Sequence, residues 1–348
     1  MRIVVRFLLG MIFFSFVSLA SGENLGKLDL DEFTLRPEFL LREGQFAQFS
    51  LENSLVGVRW RLDSNMGAHI NLGSLSLLNI PAHFESSQSE EFGLVEAYGE
   101  YSGVYGRIRA GLLPLAYGVE GSRREGDLEW PRTLLFRNRV VGLRDYGFWY
   151  STENQGFYTR LAVHNGEGRF NRDARVWVTA SWGWIDVKRF NLGVSGSTGT
   201  TKPEATSASG DTLAGVDPAL RAKWRMGTIY LQALRGNWNY LIEGTWGSVE
   251  QEMKRGNGFV SAHVDVRYDF SSRGGLLFRG DYFDPNDRLA EQTQREVSLA
   301  WVWKSSERNS RLYLMGTKVV EDTRQQVNND MVRLVWHLNV QSFSQISP

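Results

Sequence analysis

The sequence predicts an antiparallel transmembrane β-barrel of about sixteen strands. Three observations predict it: apolar and polar side chains alternate residue by residue past residue 45, the N-terminus is secretory with no later spanning helix, and the connections alternate between short and long. In 296–304, Val297, Leu299, Trp301 and Trp303 share one parity, while Glu296, Ser298 and Lys304 take the other. A period of two marks a strand. A soluble sandwich would bury its apolar face in a core. Here that face is heavy in Trp, Tyr and Phe and the other is polar, as expected with lipid outside and water inside.

The elements follow in chain order. Residues 1–22 read as a cleaved signal peptide, with Arg2 and Arg6 ahead of a short apolar core (7–19) and small residues at Ser18, Ala20, Ser21 and Gly22. No other stretch approaches the ~18 apolar residues a spanning helix needs. Residues 23–45, with Lys27, Asp29, Asp31, Glu32 and Arg36, read as a solvated periplasmic lead-in. The barrel is expected over 46–340, with a tail at 341–348. Its connections fall at 53–54, 64–65, 80–91, 103, 114–142, 153–155, 166–173, 185–187, 199–220, 236–237, 251–257, 271–273, 285–294, 305–309 and 321–329. Tight periplasmic turns alternate with longer external loops, as even-stranded outer-membrane barrels require. Only 53–54 breaks the alternation, being short where a long loop is due. The count is sixteen with both termini periplasmic; fourteen is the alternative, since the first two strands and 221–234 carry the weakest patterns.

Composition narrows the function classes. There is no cysteine, hence no disulfide framework, thiolate metal site or redox chemistry. Lys and Arg total 39 and Asp and Glu total 39, so no basic excess argues for nucleic acid. Only seven of the basic residues are lysines. Arginine keeps its charge when partly desolvated, and its planar fork suits oxyanions.

Parity assigns the lumen. Val56, Val58, Trp60 and Leu62 face lipid, which turns Arg59 and Arg61 inward. Arg107 and Arg109 point inward on the 105–111 strand, as do Tyr158, Arg160 and His164 on the 157–164 strand. His263, Asp265, Arg267 and Asp269 follow, then Arg279, Asp281, Arg333 and His337. Any of these arginines could bind a passing anion; the alternative is a structural ladder of Arg against Asp. The 114–142 connection is the longest and holds Trp130, Phe136, Leu134 and Leu135. A loop of that composition packs against something. Folding into the barrel would supply the packing and create a charged constriction; a surface lid or subunit contact is the competing reading.

The run 106–114, Gly-Arg-Ile-Arg-Ala-Gly-Leu-Leu-Pro, followed by Tyr117-Gly118-Val119-Glu120, resembles the phosphate-selective porins of the O and P family. Arg144-Asp145-Tyr146-Gly147, the His164–Gly168 stretch and the Asp281–Asn286 stretch are similar to further signatures of that family. The resemblance implies a sixteen-stranded, homotrimeric outer-membrane porin in a lipid bilayer, passing small hydrophilic solutes passively and leaning towards anions, with phosphate-type oxyanions among them. Passive transport of this kind needs no cofactor and no energy source. It places Arg59, Arg61, Arg107 and Arg109 on the pore wall, joined by Arg160 and Arg267 from parity. Arg123, Arg124, Arg132, Arg137 and Arg139 become constriction candidates on the third external loop. The chain departs from the family in its scarcity of lysine, in the Glu120, Glu125, Asp127 and Glu129 interleaved with the loop arginines, and in not ending on an aromatic strand residue. A weakly selective general or carbohydrate porin is the near alternative.

A barrel enzyme or adhesin is the alternative of another class. The five histidines show no metal-ligand spacing, and no nucleophile-elbow or phosphate-loop motif is present. His164 beside Asn165-Gly166 is the most suggestive of them, with a satisfied lumen histidine as its plain reading. Asp281, Asp284 and Asp287 could hold calcium at the mouth, or form a solvated rim. A barrel of eight or ten strands would fill with side chains, whereas sixteen leave an aqueous channel.

Overall fold

A computed structural model of the chain describes residues 27–341 apart from 52, 80–91, 124–126, 167–174, 187, 202–215, 218–219, 253–255, 290–291, 306–309 and 323–329. The expected signal peptide and the tail beyond 341 lie outside the described residues.

Sixteen antiparallel strands close into one barrel. The first two are each interrupted once: β1 is Lys27–Leu35 and Glu38–Arg42, and β2 is Gln48–Ser50 and Leu55–Arg61. Then come β3 (Met66–Ser74), β4 (Phe92–Gly103), β5 (Gly106–Pro114), β6 (Arg144–Asn154), β7 (Phe157–His164) and β8 (Trp177–Asp186). The second half is β9 (Phe190–Thr201), β10 (Ala222–Arg235), β11 (Trp238–Gln251), β12 (Asn257–Asp269), β13 (Gly274–Asp284), β14 (Gln294–Lys304), β15 (Ser310–Glu321) and β16 (Met331–Gln341). Each strand pairs with its sequence neighbours, so no strand edge is left open.

Closure corrects one expectation. Residues from Lys27 onward are not a lead-in but the first barrel strand, pairing Leu35 with Leu338 and Arg42 with Met331 on β16. The break in β1 sits at Pro37, which has no N–H for the ladder, and Trp336 N donates to the Pro37 carbonyl at 3.0 Å instead. The break in β2 lies opposite, where Ser54 Oγ accepts from Arg36 N at 3.0 Å. The turn expected at 53–54 is this interruption, not a strand connection. The first long-end connection is 43–47.

The alternation read from sequence appears as exposure. Trp182, Trp246 and Leu299 on the outer face are more than half exposed, while Ser181, Thr228 and Thr245 on the inner face are buried. The short turns obey local chemistry. Asn154 pairs with Phe157 across Gln155-Gly156, both at positive φ (50° and 84°), the hairpin conformation that matches strand twist.

The lumen has two unlike halves. On β8–β11 the inward residues include a patch of small hydroxyls that bond across strands, Thr179 with Ser197 (2.9 Å), Ser181 with Ser195 (3.0 Å) and Thr228 with Thr245 (2.7 Å), beside the buried rings of Trp177, Trp224 and Tyr230. On β3–β7 they are charged and aromatic. The first half leaves room for a loop, and the second lines what remains.

Candidate functional site

The loop between β5 and β6 lies inside the barrel over its described residues, 115–123 and 127–143. Its base is pinned where Leu115 N donates to Leu143 O at 2.9 Å. It then runs along the hydroxyl wall: Ser181 Oγ donates to Ala116 O (2.5 Å), Gly118 N donates to Ser195 Oγ (3.1 Å), and Val119 N donates to Glu243 Oε2 (2.7 Å). Gly118 has a φ of 65°, and a side chain there would collide with the Glu243 carboxylate, so glycine is required on both counts.

Glu120 staples the loop to itself. Its carboxylate accepts Thr133 N at 2.9 Å and Thr133 Oγ1 at 2.5 Å, while its carbonyl accepts Arg132 Nη1 at 2.7 Å. Thr133 stands at the N-cap of the short helix α1 (Leu134–Arg137) but has given its hydroxyl away. The wall caps the helix instead: Asp281 Oδ2 accepts Leu134 N at 2.7 Å. Arg137 at the other end pairs with Glu296, and Asn138 Nδ2 donates to Gln294 Oε1 at 3.0 Å.

Apolar side chains complete the docking. Tyr117, Leu134, Leu135 and Phe136 cluster with Trp177, Trp224, Phe259 and Phe283 of the wall. Trp130 inserts among Leu277, Val302, Tyr313 and Met315. Ionisable wall groups of both signs hold the loop: the carboxylates accept main-chain N–H groups or a loop arginine, Arg279 Nη1 donates to Pro131 O at 2.6 Å, and Arg267 pairs with Glu129.

Between the loop and β3–β7 an open cavity of about 230 Å³ remains. Arg107, Arg109, Arg123, Arg132, Arg144 and Arg160 line it, against the carboxylates Glu32 and Glu96. Their states differ. Arg144 is buried and bound to Glu96 Oε1 at 2.8 Å, and His69 sits between Glu96 (3.4 Å) and Asp31 (3.2 Å), so this group is structural. Arg109 reaches Glu100 at 2.6 Å and stacks over Tyr98 and Trp149. Arg107 is 3.7 Å from the same carboxylate and half exposed. Arg160 lies over the Tyr158 ring and donates to Ser122 Oγ at 3.3 Å. Among the described residues no carboxylate lies within 4.0 Å of Arg123 or Arg160.

The other sequence candidates sit elsewhere. Arg59 pairs with Asp31 (3.2 Å) and Arg61 with Asp29 (2.6 Å), both carboxylates on β1. Arg267 pairs with Asp269 and Glu129 near the short-turn end. Arg139 is a turn residue with φ 52°, and Arg124 lies outside the described residues. The loop anchors Glu243 and Glu296, and the pairing partners Asp31 and Glu100, were missed. The signal for an anchor was available at Glu243, a carboxylate at a lumen parity position amid small hydroxyls.

His164 forms a chain, Nδ1 to Asp145 Oδ2 at 2.7 Å and Nε2 to Thr179 Oγ1 at 2.9 Å, with Thr179 bonded on to Ser197. All four are buried, and each hydroxyl is engaged across strands, so the chain braces the wall. At the long-loop rim Asp284 accepts Asn286 N and Asp287 accepts Gly258 N, and among the described residues no group of three or more ligating side chains gathers.

The closed sixteen-stranded barrel is a fold found in solved outer membrane proteins. The loop-deleted OmpT outer membrane protein of Vibrio cholerae superposes with a TM-score of 0.70 at 11% identity, covering 91% of this chain and 100% of that one. An anion-selective porin from Comamonas acidovorans gives 0.63 at 12% identity, over 90% and 98%. The outer membrane channel DcaP of Acinetobacter baumannii gives 0.62 at 10%, over 92% and 99%. No family model matches the chain, nor does any curated protein. The likeness is one of fold, and it reaches porins at large rather than the phosphate-selective group.

Proposed function

We propose that the protein is an outer-membrane porin through which small hydrophilic solutes diffuse passively, with a preference for anions. The observation that carries this is the cavity between loop and β3–β7, where no described carboxylate lies within 4.0 Å of Arg123 or Arg160 and Arg107 is half exposed. An excess of positive charge beside a narrow water path lowers the barrier for anions and raises it for cations. Phosphate-type oxyanions fit the bidentate chemistry of arginine. The lipid-facing aromatic surface supports a bilayer setting, and secretion through the N-terminal segment with assembly as a homotrimer completes the reading.

A weakly selective general porin is the second reading. It is favoured by the pairing of Arg59, Arg61, Arg109, Arg137 and Arg267 with carboxylates, which cancels much of the wall charge. The aromatic rings that a carbohydrate path would use, Tyr98 and Trp149, are buried beneath Arg109. The reversal potential of the refolded protein in a planar bilayer under a KCl gradient decides between the two. A chloride-preferring potential, with block by added phosphate, is expected. A potential near zero selects the general porin, and no conductance from folded barrels refutes both.

A further inference from the structure

Near the short-turn end, on the wall facing the loop tip, β12, β14 and β15 bring Arg267, Lys304 and Arg311 together. A cavity of about 510 Å³ opens beside them, bounded by Asn237, Ser271 and Ser272 of two short turns. Asp269 holds two of the cations. Its oxygens accept Arg267 Nε at 3.0 Å and Nη2 at 2.5 Å, and Oδ1 also accepts Lys304 Nζ at 2.6 Å. The remaining Nη1 of Arg267 is bound by Glu129 Oε1, and Arg311 Nη1 lies 3.7 Å from that same oxygen.

We infer that Arg267, Lys304 and Arg311 form a second anion subsite, and that Glu129 is its tethered occupant, a loop carboxylate that an entering oxyanion displaces. Four of the five charges are fixed on strands; Glu129 alone is carried by the loop. Without it the wall presents three cations and one carboxylate, a net charge of two that suits a dianion. A carboxylate and a phosphate offer the same kind of oxygen to a guanidinium N–H, so one can replace the other. Glu129 also stands at a joint. A narrow space of about 20 Å³ is lined by Arg123, Glu129 and Arg267 together; Arg123 also lines the basic cavity, and Arg267 also lines the wider space at the short turns. A tethered ligand acts at an effective concentration in the millimolar range. The free anion is therefore held off by one plus the ratio of that concentration to the carboxylate's own dissociation constant, about twofold when both are millimolar.

This subsite rests on the reading of the barrel as a water-filled channel, and the test separates the two. Inorganic phosphate is titrated calorimetrically into the refolded full-length barrel in detergent, where no current is measured. Glu129→Gln is expected to tighten phosphate binding at least about twofold. Adding Arg311→Met to that variant is expected to remove the gain. Glu129→Asp keeps the charge but withdraws the oxygen from Arg311, and it is expected to give a smaller gain if Glu129→Gln does not fold. Unchanged affinity in the Glu129 variants overturns the inference, as does a gain that survives loss of Arg311. Tightened binding by a barrel that conducts nothing would keep the subsite and refute the channel.

Discussion

Arg123 and Arg160 carry the selectivity argument, so neutralising them should shift ion preference by a calculable amount. The Arg123→Gln/Arg160→Gln double variant removes two positive charges that face the cavity between the loop and β3–β7. An ion passing at about 7 Å interacts with each by roughly 0.6 kcal/mol in a fully aqueous dielectric. Screening at ~0.1 M salt reduces this to about 0.3 kcal/mol, because the Debye length is then ~10 Å. An anion loses that stabilisation and a cation gains as much. The anion-to-cation permeability ratio should therefore fall about threefold per arginine, and about eightfold for the pair, at RT of ~0.59 kcal/mol. A lower local dielectric would enlarge the effect. The assay is the reversal potential across a planar bilayer under a KCl gradient, repeated at two ionic strengths. A double variant with the unmodified protein's potential would refute the assignment of selectivity to these two side chains.

Other perturbations test the loop and the wall. Trp130→Ala empties a site buried among Leu277, Val302, Tyr313 and Met315, a loss of about 3–5 kcal/mol in docking energy; larger conductance steps and faster proteolysis within 115–143 are expected. Glu243→Leu leaves Val119 N–H without its acceptor, at a cost of about 1–3 kcal/mol, and hydrogen exchange at Val119 should accelerate while the barrel melts almost as before. Arg61→Gln breaks an exposed pair with Asp29, worth at most about 1 kcal/mol. It should leave both the melting temperature and the reversal potential unchanged.

Most of the barrel is legible in the sequence because each strand is half lipid-facing and half water-facing, so its period of two survives along its whole length. The first strand escaped for the same physical reason. Leu28 and Leu30 face out and Asp29 and Asp31 face in, which is strand parity, but four charged residues within 27–32 read as a solvated segment. In a lumen, charge does not argue against a strand. A register shift between Leu30 and Glu32, followed by Pro37, then broke the alternation that would have exposed it.

The site was legible in outline only. The length and aromatic content of 114–142 indicate a packed loop, and parity places Arg107, Arg109 and Arg160 in the lumen. Pairing is not encoded in parity. Whether Arg59 is free or bound to Asp31 depends on 27–35 being a strand paired with β2, which the charge of that segment hides in the sequence. The Glu129 contact with Arg267 similarly joins a loop tip to a wall that it meets only after folding.

The loop divides the lumen, covering the β8–β11 wall and leaving the basic cavity between itself and β3–β7 open. The chain has no cysteine, so single introduced cysteines can report on this directly. Ser122→Cys lies on the loop face beside Arg160, whereas Thr228→Cys lies on the hydroxyl wall, where Thr228 is 1% exposed. A negatively charged thiosulfonate added to open channels should modify the first quickly and reduce its current, and leave the second unreacted. Equal reactivity at both positions would mean that the loop does not cover the β8–β11 wall, and would contradict the account.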